Sequence, residues 1–236
     1  MQSSANSKGA RLVWQWAGHW YSLPVSASDV LTLARAVEYE GSPRDAVAWT
    51  LLQRAAYVRS HGRAVSVGRL VEQYAQPINP AWFPTGQKHL DEMARLERLG
   101  DAAGARAEQA RAELRVTRAK TPWASLSEET RGVIWRAMTG QSKSPIPGAV
   151  HYWASRGPDF LSNQAKRPEL VLLDSGQGFG PGRNVFFTEQ GARIGSVRVE
   201  DGHGVLPGAD MVLAGVGGPG FIVAGVLAAL AWKWLT

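Results

Sequence analysis

Glu40 is the residue of this chain best placed to do chemistry. It closes the run Leu33-Ala34-Arg35-Ala36-Val37-Glu38-Tyr39-Glu40, which leads into Gly41-Ser42-Pro43, so an apolar-striped helix ends on a carboxylate and stops. A carboxylate in a last helical turn meets the negative end of the macrodipole, and one leaning toward the core loses hydration. Both effects disfavour the ionised form and raise the pKa. A carboxyl that stays protonated near neutrality is what general-acid cleavage of a glycosidic bond requires. From position alone, a solvated helix-end glutamate is the alternative.

Two helices must meet at an elbow to hold Glu40 there. In the first, Val30, Leu33, Ala34 and Val37 recur at helical spacing, and Glu40 continues the Leu33, Ala36 and Val37 side. Gly41 supplies the exit, Ser42 a cap and Pro43 the first turn of the next helix. There Val47, Ala48, Leu51, Leu52, Ala55 and Val58 repeat the period, and Asp45 can reach back to the cap. Glu38 is two residues from Glu40 and therefore points away from it. Asp29, Asp45 and Glu72 are the candidates for a second catalytic carboxylate.

The pattern Leu33-Ala34-Arg35-Ala36-Val37, then Glu40, Pro43, Ala46-Val47-Ala48 and Leu51-Leu52-Gln53-Arg54 resembles the opening motif of the SleB-type cell-wall hydrolases. The resemblance implies a lysozyme-like, mainly α-helical domain with Glu40 as single catalytic acid and peptidoglycan as substrate, cut between MurNAc and GlcNAc. Gly148-Ala149-Val150-His151-Tyr152-Trp153 is similar to the family segment in which Gly-Ala precedes an aromatic pair lining the cleft. That implies a sugar site lined by His151, Tyr152 and Trp153. Gly182-Arg183-Asn184-Val185-Phe186-Phe187 resembles the family's closing Gly-x-His-x-Phe-Tyr stretch, with Asn184 in place of the histidine. Two further departures are a shorter turn after Glu40 and Gln53-Arg54 where the family has Asn-Arg. A single-Glu lytic transglycosylase, in which the sugar's own C6 hydroxyl attacks, is the chemistry the resemblance favours over hydrolysis.

Composition narrows the partners. The chain has 236 residues and a formal net charge of +6, which suits an anionic partner such as the cell envelope. Its basic residues are not gathered into an aromatic-interleaved stripe, so nucleic acid is not expected as the main partner. With no cysteine, thiol nucleophiles, disulfides and Cys-based metal sites are excluded. His19, His61, His89, His151 and His203 lack paired metal spacing, and Gly176-Gln177-Gly178-Phe179-Gly180 lacks the dinucleotide fingerprint. No cofactor or metal is expected.

The expected architecture is mainly α: an N-terminal arm and aromatic segment over 1–26, a lysozyme-like domain with a few short strands over 27–205, and a C-terminal membrane segment over 209–235. Within it, residues 88–120 read as a broken helix or helical hairpin inserted in the domain, a surface that could meet further copies or other virion proteins. The prolines around Trp82 and Phe83 make 77–84 a rigid loop whose two rings either stack on sugar faces or plug the core. Leu170-Leu173, Val185-Phe187 and Ile194-Val199 read as short strands. Met211 to Trp232 is an uncharged stretch of about 22 residues, long enough to cross a bilayer as a transmembrane helix. No secretory signal is recognised at the N-terminus. The expectation is therefore a phage-delivered peptidoglycan lytic enzyme, located in the virion and then in the host envelope, opening the wall during genome entry. The alternative is a structural virion or membrane-channel protein with a degenerate lysozyme-like domain.

Overall fold

Ser26 and Asp29 start the first helix by a reciprocal capping box: the Asp29 amide donates to Ser26 Oγ (3.2 Å) and the Ser26 amide to Asp29 Oδ2 (2.9 Å). Helix α1 runs over Ala27–Tyr39 and buries Val30, Leu33, Ala34, Ala36 and Val37. The other Asp29 oxygen accepts from the Gly68 amide at 2.7 Å and so docks α3, Val67–Tyr74, onto the start of α1. A Cβ on Gly68 would come within 2.6 Å of that oxygen, which is why the approach needs glycine. The computed structural model describes residues 9–79, 87–154, 166–173, 184–192 and 194–207.

Helix α2, Arg44–Ser60, was expected to be amphipathic and is instead buried nearly all round, polar Thr50 and Gln53 included. It lies centrally, against α1, α3 and α6 (Glu128–Met138) and against strands of both sheets. A helix with partners on every side has no solvent face to mark with charge. The cap expected at Ser42 is absent: Pro43 occupies the N-cap without a side-chain bond, and Asp45 Oδ1 accepts from the adjacent Ala46 amide at 2.9 Å. The start of α6 is capped by Ser127, and Ser125 sits in the preceding 3-10 turn.

The expected helical insertion is a hairpin of α4, Gln87–Arg98, and α5, Ala102–Ala119. Gly100 turns the chain at φ 74°, and Asp101 caps α5 by accepting from the Gly104 amide at 2.8 Å.

Strand content corrects the mainly α, lysozyme-like expectation. The fold is mixed α/β, about 20% strand, with two three-stranded antiparallel sheets among the described residues. The first joins β2 (His19–Pro24), β1 (Arg11–Trp16) and β6 (Ile194–Glu200) in that order. The second joins β3 (His151–Ala154), β5 (Asn184–Glu189) and β4 (Leu170–Leu173). Residues 11–24, read as part of an arm, are thus a hairpin built into the domain. Leu12 and Trp14 are fully buried in the core formed with Leu33, Leu51, Leu52, Ile134 and Phe186, and Trp14 Nε1 donates to Ser60 Oγ at 2.7 Å. The alternation of Leu12, Trp14 and Trp16 is a period-two signal. Its turn, Ala17-Gly18, lacks the asparagine that usually announces such a hairpin.

A transmembrane helix was also expected. No helix among the described residues is long and apolar enough to cross a membrane, and Met211 to Trp232 lies outside them.

Ala17 adopts φ 48°, a left-handed conformation that costs a Cβ-bearing residue about 1 kcal/mol or more. Ala17→Asn is expected to stabilise the hairpin by about 0.5–1 kcal/mol, since asparagine tolerates this conformation. Thermal unfolding checks it; a lower Tm for the variant would refute the turn assignment.

Candidate active site

The elbow runs from the Glu40 C-cap of α1 to the Pro43 N-cap of α2, one residue further than the expected Ser42 cap, and strand β5 holds it. Glu40 forms the C-cap of α1, its amide donating to Ala36 O at 3.0 Å, and Gly41 follows at φ 88°. Buried Asn184, at the head of β5, donates from Nδ2 to the Glu40 carbonyl (2.8 Å) and from its backbone amide to the Ser42 carbonyl (2.9 Å). The residue that stands where the resemblance expects histidine therefore clips the backbone on both sides of Gly41. It satisfies a C-terminal carbonyl of α1 that would otherwise be orphaned. From the other side, Arg35 Nε donates to Thr121 O (2.8 Å) and Tyr39 Oη bonds Thr121 Oγ1 (2.9 Å), tying α1 to the end of α5.

The Glu40 carboxyl is turned inward among Tyr152, the Gln76 backbone amide and the more distant guanidinium groups of Arg115 and Arg118. Burial outweighs all of these favourable neighbours and raises its pKa to about 7. Desolvation is thus the cause of the upward shift, one of the two expected from the sequence alongside the helix macrodipole. Tyr152 lies beside the carboxyl, about 6% exposed and edge-on to Tyr74 with ring centroids 5.4 Å apart. Burial and the neighbouring carboxyl keep the Tyr152 phenol far above its ordinary range, hence neutral. Its hydroxyl is in electrostatic contact with Glu40 but stands outside hydrogen-bond geometry.

Glu40 opens on a cavity of about 320 Å³ whose wall includes Arg54, Tyr74, His151, Tyr152, Trp153 and Arg167. That is the lower end of the range for small-ligand sites. Strand β3 delivers three consecutive residues to it, and the two faces of the strand have different duties. Tyr152 joins Phe186 in the main core, whereas Trp153 packs on Leu170, Val185 and Phe187, with a ring separation of 4.8 Å from Phe187. Trp82 and Phe83 lie outside the described residues.

His151 anchors a network that the sequence did not reveal. Its Nε2 is 2.6 Å from Glu189 Oε1 and its Nδ1 is 3.0 Å from Tyr74 Oη, which also accepts from the Tyr152 amide at 3.1 Å. Arg54 Nη1 donates to the same Glu189 oxygen at 2.8 Å, and Tyr57 donates to the other. Burial first, then the nearby Arg54 charge, lowers the His151 pKa, so the ring is neutral. Arg54 Nη1 also lies 2.8 Å from Nε2, so the roles follow the tautomer: a proton on Nε2 serves Glu189 and lets Nδ1 accept from Tyr74, at the expense of the Arg54 contact. Glu189 experiences the opposite of Glu40. Its own desolvation is overcome by hydrogen bonds from Tyr57, His151 and Arg54, and its pKa falls to about 2.

Glu189 sits behind the cavity wall and is spent on this network. The other carboxylates considered from sequence are further removed: Asp29 is consumed in the α1 cap, Asp45 in its own helix start, and Glu72 pairs with Arg69 at 3.3 Å on the surface. Glu38, read as pointing away, takes Ser127 Oγ at 2.7 Å and Arg44 at 3.1 Å, which pins α1 to α6. Among the described residues Glu40 is the one carboxyl lining the cavity.

Gln53 explains the second departure from the expected motif. Buried in α2, it donates to Ile146 O (3.2 Å) and Ala149 O (3.0 Å) and accepts from the Gly148 amide (2.8 Å), stapling the loop that leads into β3. A buried amide with this many partners is hard to replace. Arg54, next to it, carries the network described above. The distant pairing of Arg54 with Glu189 left no local trace in the sequence, being set by the β3–β5 register.

No family model, no curated protein and no solved structure matches the chain.

A carboxyl whose folded pKa is raised favours the native state while protonated, and that contribution is lost as pH rises from its ordinary value of 4.5 through about 7. The full cost of ionisation is at most about 3.4 kcal/mol. Glu40→Gln should therefore gain stability over the natural chain progressively between pH 4.5 and 8, as followed by denaturant unfolding. A difference that does not change with pH would show that Glu40 is not desolvated.

Proposed function

We propose that this chain cleaves glycosidic bonds of peptidoglycan, with Glu40 as the general acid and then the general base. The observation that carries the reading is a carboxyl poised at about pH 7 on a cavity with no second carboxylate among the described residues of its wall. The resemblance of the surrounding segments to cell-wall hydrolases supplies the substrate class, and the net charge of +6 is in keeping with an anionic wall polymer.

Hydrolysis by the two-carboxylate routes needs a nucleophile or a second base opposite the acid. With one carboxyl, the lytic transglycosylase course accounts better for the site. Protonated Glu40 gives its proton to the glycosidic oxygen as the C1–O bond breaks. The same sugar's C6 hydroxyl then attacks C1 and returns its proton to the Glu40 carboxylate, which closes a 1,6-anhydro ring and restores the acid. Arg54, neutral His151 and the Tyr74 and Tyr152 rings present donors and aromatic surface to the saccharide, and the Glu189 network fixes their orientation. A virion-borne route to the wall belongs to the same proposal.

Incubation of purified sacculi with the chain should release muropeptides, and mass spectrometry should find anhydro ends. Glu40→Gln should slow release by about 10²–10⁴-fold, the usual worth of a general acid. Release should decline as pH rises through about 7, where the acid ionises. Undiminished release by Glu40→Gln eliminates it as the acid, reducing ends point to hydrolysis, and untouched sacculi with the natural chain favour a structural role.

A further inference from the structure

On the far side of α2 from Glu40's network lies a second cavity, of about 380 Å³, and its polar groups share one character. Trp49 and Gln53, each about 2% exposed, form its floor. Trp49 Nε1 donates to Ser142 Oγ at 3.3 Å. Ser144 Oγ accepts from the Ile146 amide at 3.2 Å and lies 3.2 Å from Gln53 Nε2, whose two hydrogens are shared with the Ile146 and Ala149 carbonyls. The lone pairs of both serines are thus drawn toward buried donors. Neither hydroxyl donates to a protein group among the described residues, which leaves its hydrogen for the cavity. Lys143 stands between them in sequence and makes no ion pair among the described residues. Arg198 adds positive potential from the opposite wall while its guanidinium is held by Glu200 at 2.7 Å. Among the described residues no carboxylate lines the space, and Pro147, Val197 and the Trp49 floor give it an apolar part.

A concave site that offers two hydroxyl donors and an exposed ammonium, with no carboxylate among the described lining residues, selects for an acceptor-rich ligand. We propose that this cavity binds an oxyanion, a carboxylate or phosphate group carried on a small, partly apolar body. Lys143 supplies the charge, Ser142 and Ser144 the directed hydrogen bonds, and the buried Trp49 and Gln53 hold those serines in donor orientation. The site is independent of the glycan-cleaving reading, because it lies apart from Glu40 and uses none of the residues that line the first cavity. It shares with that cavity only the Gln53 staple, which reaches both the Ser144 loop and the Gly148–Ala149 approach to β3. A group of this kind could arrive on a peptide C-terminus or on a phosphate-bearing polymer, and the test separates them.

The full chain, labelled with 15N, is titrated with N-acetyl-alanyl-alanine, with the same dipeptide as its C-terminal amide, and with glycerol 3-phosphate. Saturable shifts confined to the amides of Ser142 to Ser144 and Gly195 to Ser196 are expected for the free acid, the phosphate, or both. Whichever responds identifies the source. The neutral amide should bind about tenfold more weakly than the acid, and Lys143→Ala should weaken the responding anion by about fivefold or more with thermal unfolding unchanged. Lys143 is exposed, so this variant is not expected to perturb folding. Absence of saturation up to about 50 mM for both anions, equal binding of acid and amide, or shifts located elsewhere would overturn the proposal.

Discussion

The desolvation of one carboxyl at a helix elbow is the constraint around which the rest of this molecule is arranged. An ionised Glu40 would be costly where it lies, and among the described residues no ion pair removes that cost. The structure surrounds the group with Tyr152, a backbone amide and two arginines too weakly coupled to restore an ordinary pKa. Holding a carboxyl in so unfavourable a place requires that the backbone around it cannot relax. Asn184 meets that need by bonding the carbonyls on both sides of Gly41, and the Arg35 and Tyr39 bonds to Thr121 hold α1 from the opposite side.

The contrast between Glu40 and Glu189 shows how environment assigns different roles to one residue type. Glu189 collects hydrogen bonds from Tyr57, His151 and Arg54 and is ionised throughout the physiological range, while Glu40 is poised near neutrality. Separation of two carboxyl pKa values by their surroundings is a recurrent sign of divided labour in acid–base sites. Here the ionised member never reaches the cavity. It hydrogen-bonds His151, Arg54 and Tyr57, and through them ties β5 to β3 and α2 beside the cavity.

Much of this was legible in the sequence, and what was not has physical reasons. The α1 stripe, the elbow and the inward lean of Glu40 are local properties, and the residues from 33 to 43 contain them. The three strand segments after residue 169 were equally visible as short apolar runs between glycines and prolines. The β1–β2 hairpin escaped because Ala17-Gly18 is an unusual turn pair and because crowded tryptophans read as an aromatic cluster before they read as alternation. Helix α2 looked amphipathic from the recurrence of Val47, Ala48, Leu51, Leu52, Ala55 and Val58, whereas the polar Gln53 and Thr50 are buried too, Gln53 with partners far along the chain. Glu189, Arg54 and Asn184 depend on strand register and on contacts more than 100 residues apart in sequence, for which periodicity carries no information. Asn184 in particular read as the loss of a histidine, and in the fold it is a backbone clip.

The central claim concerns the protonation of a single group, and that can be measured directly. Carbon-13 NMR of the glutamate side-chain carboxyl, assigned by comparison with Glu40→Gln, follows Glu40 through a pH titration of the intact chain. The account predicts a midpoint near 7 for this carboxyl. A midpoint close to its ordinary value of 4.5 would show a hydrated carboxylate and contradict the account at its origin.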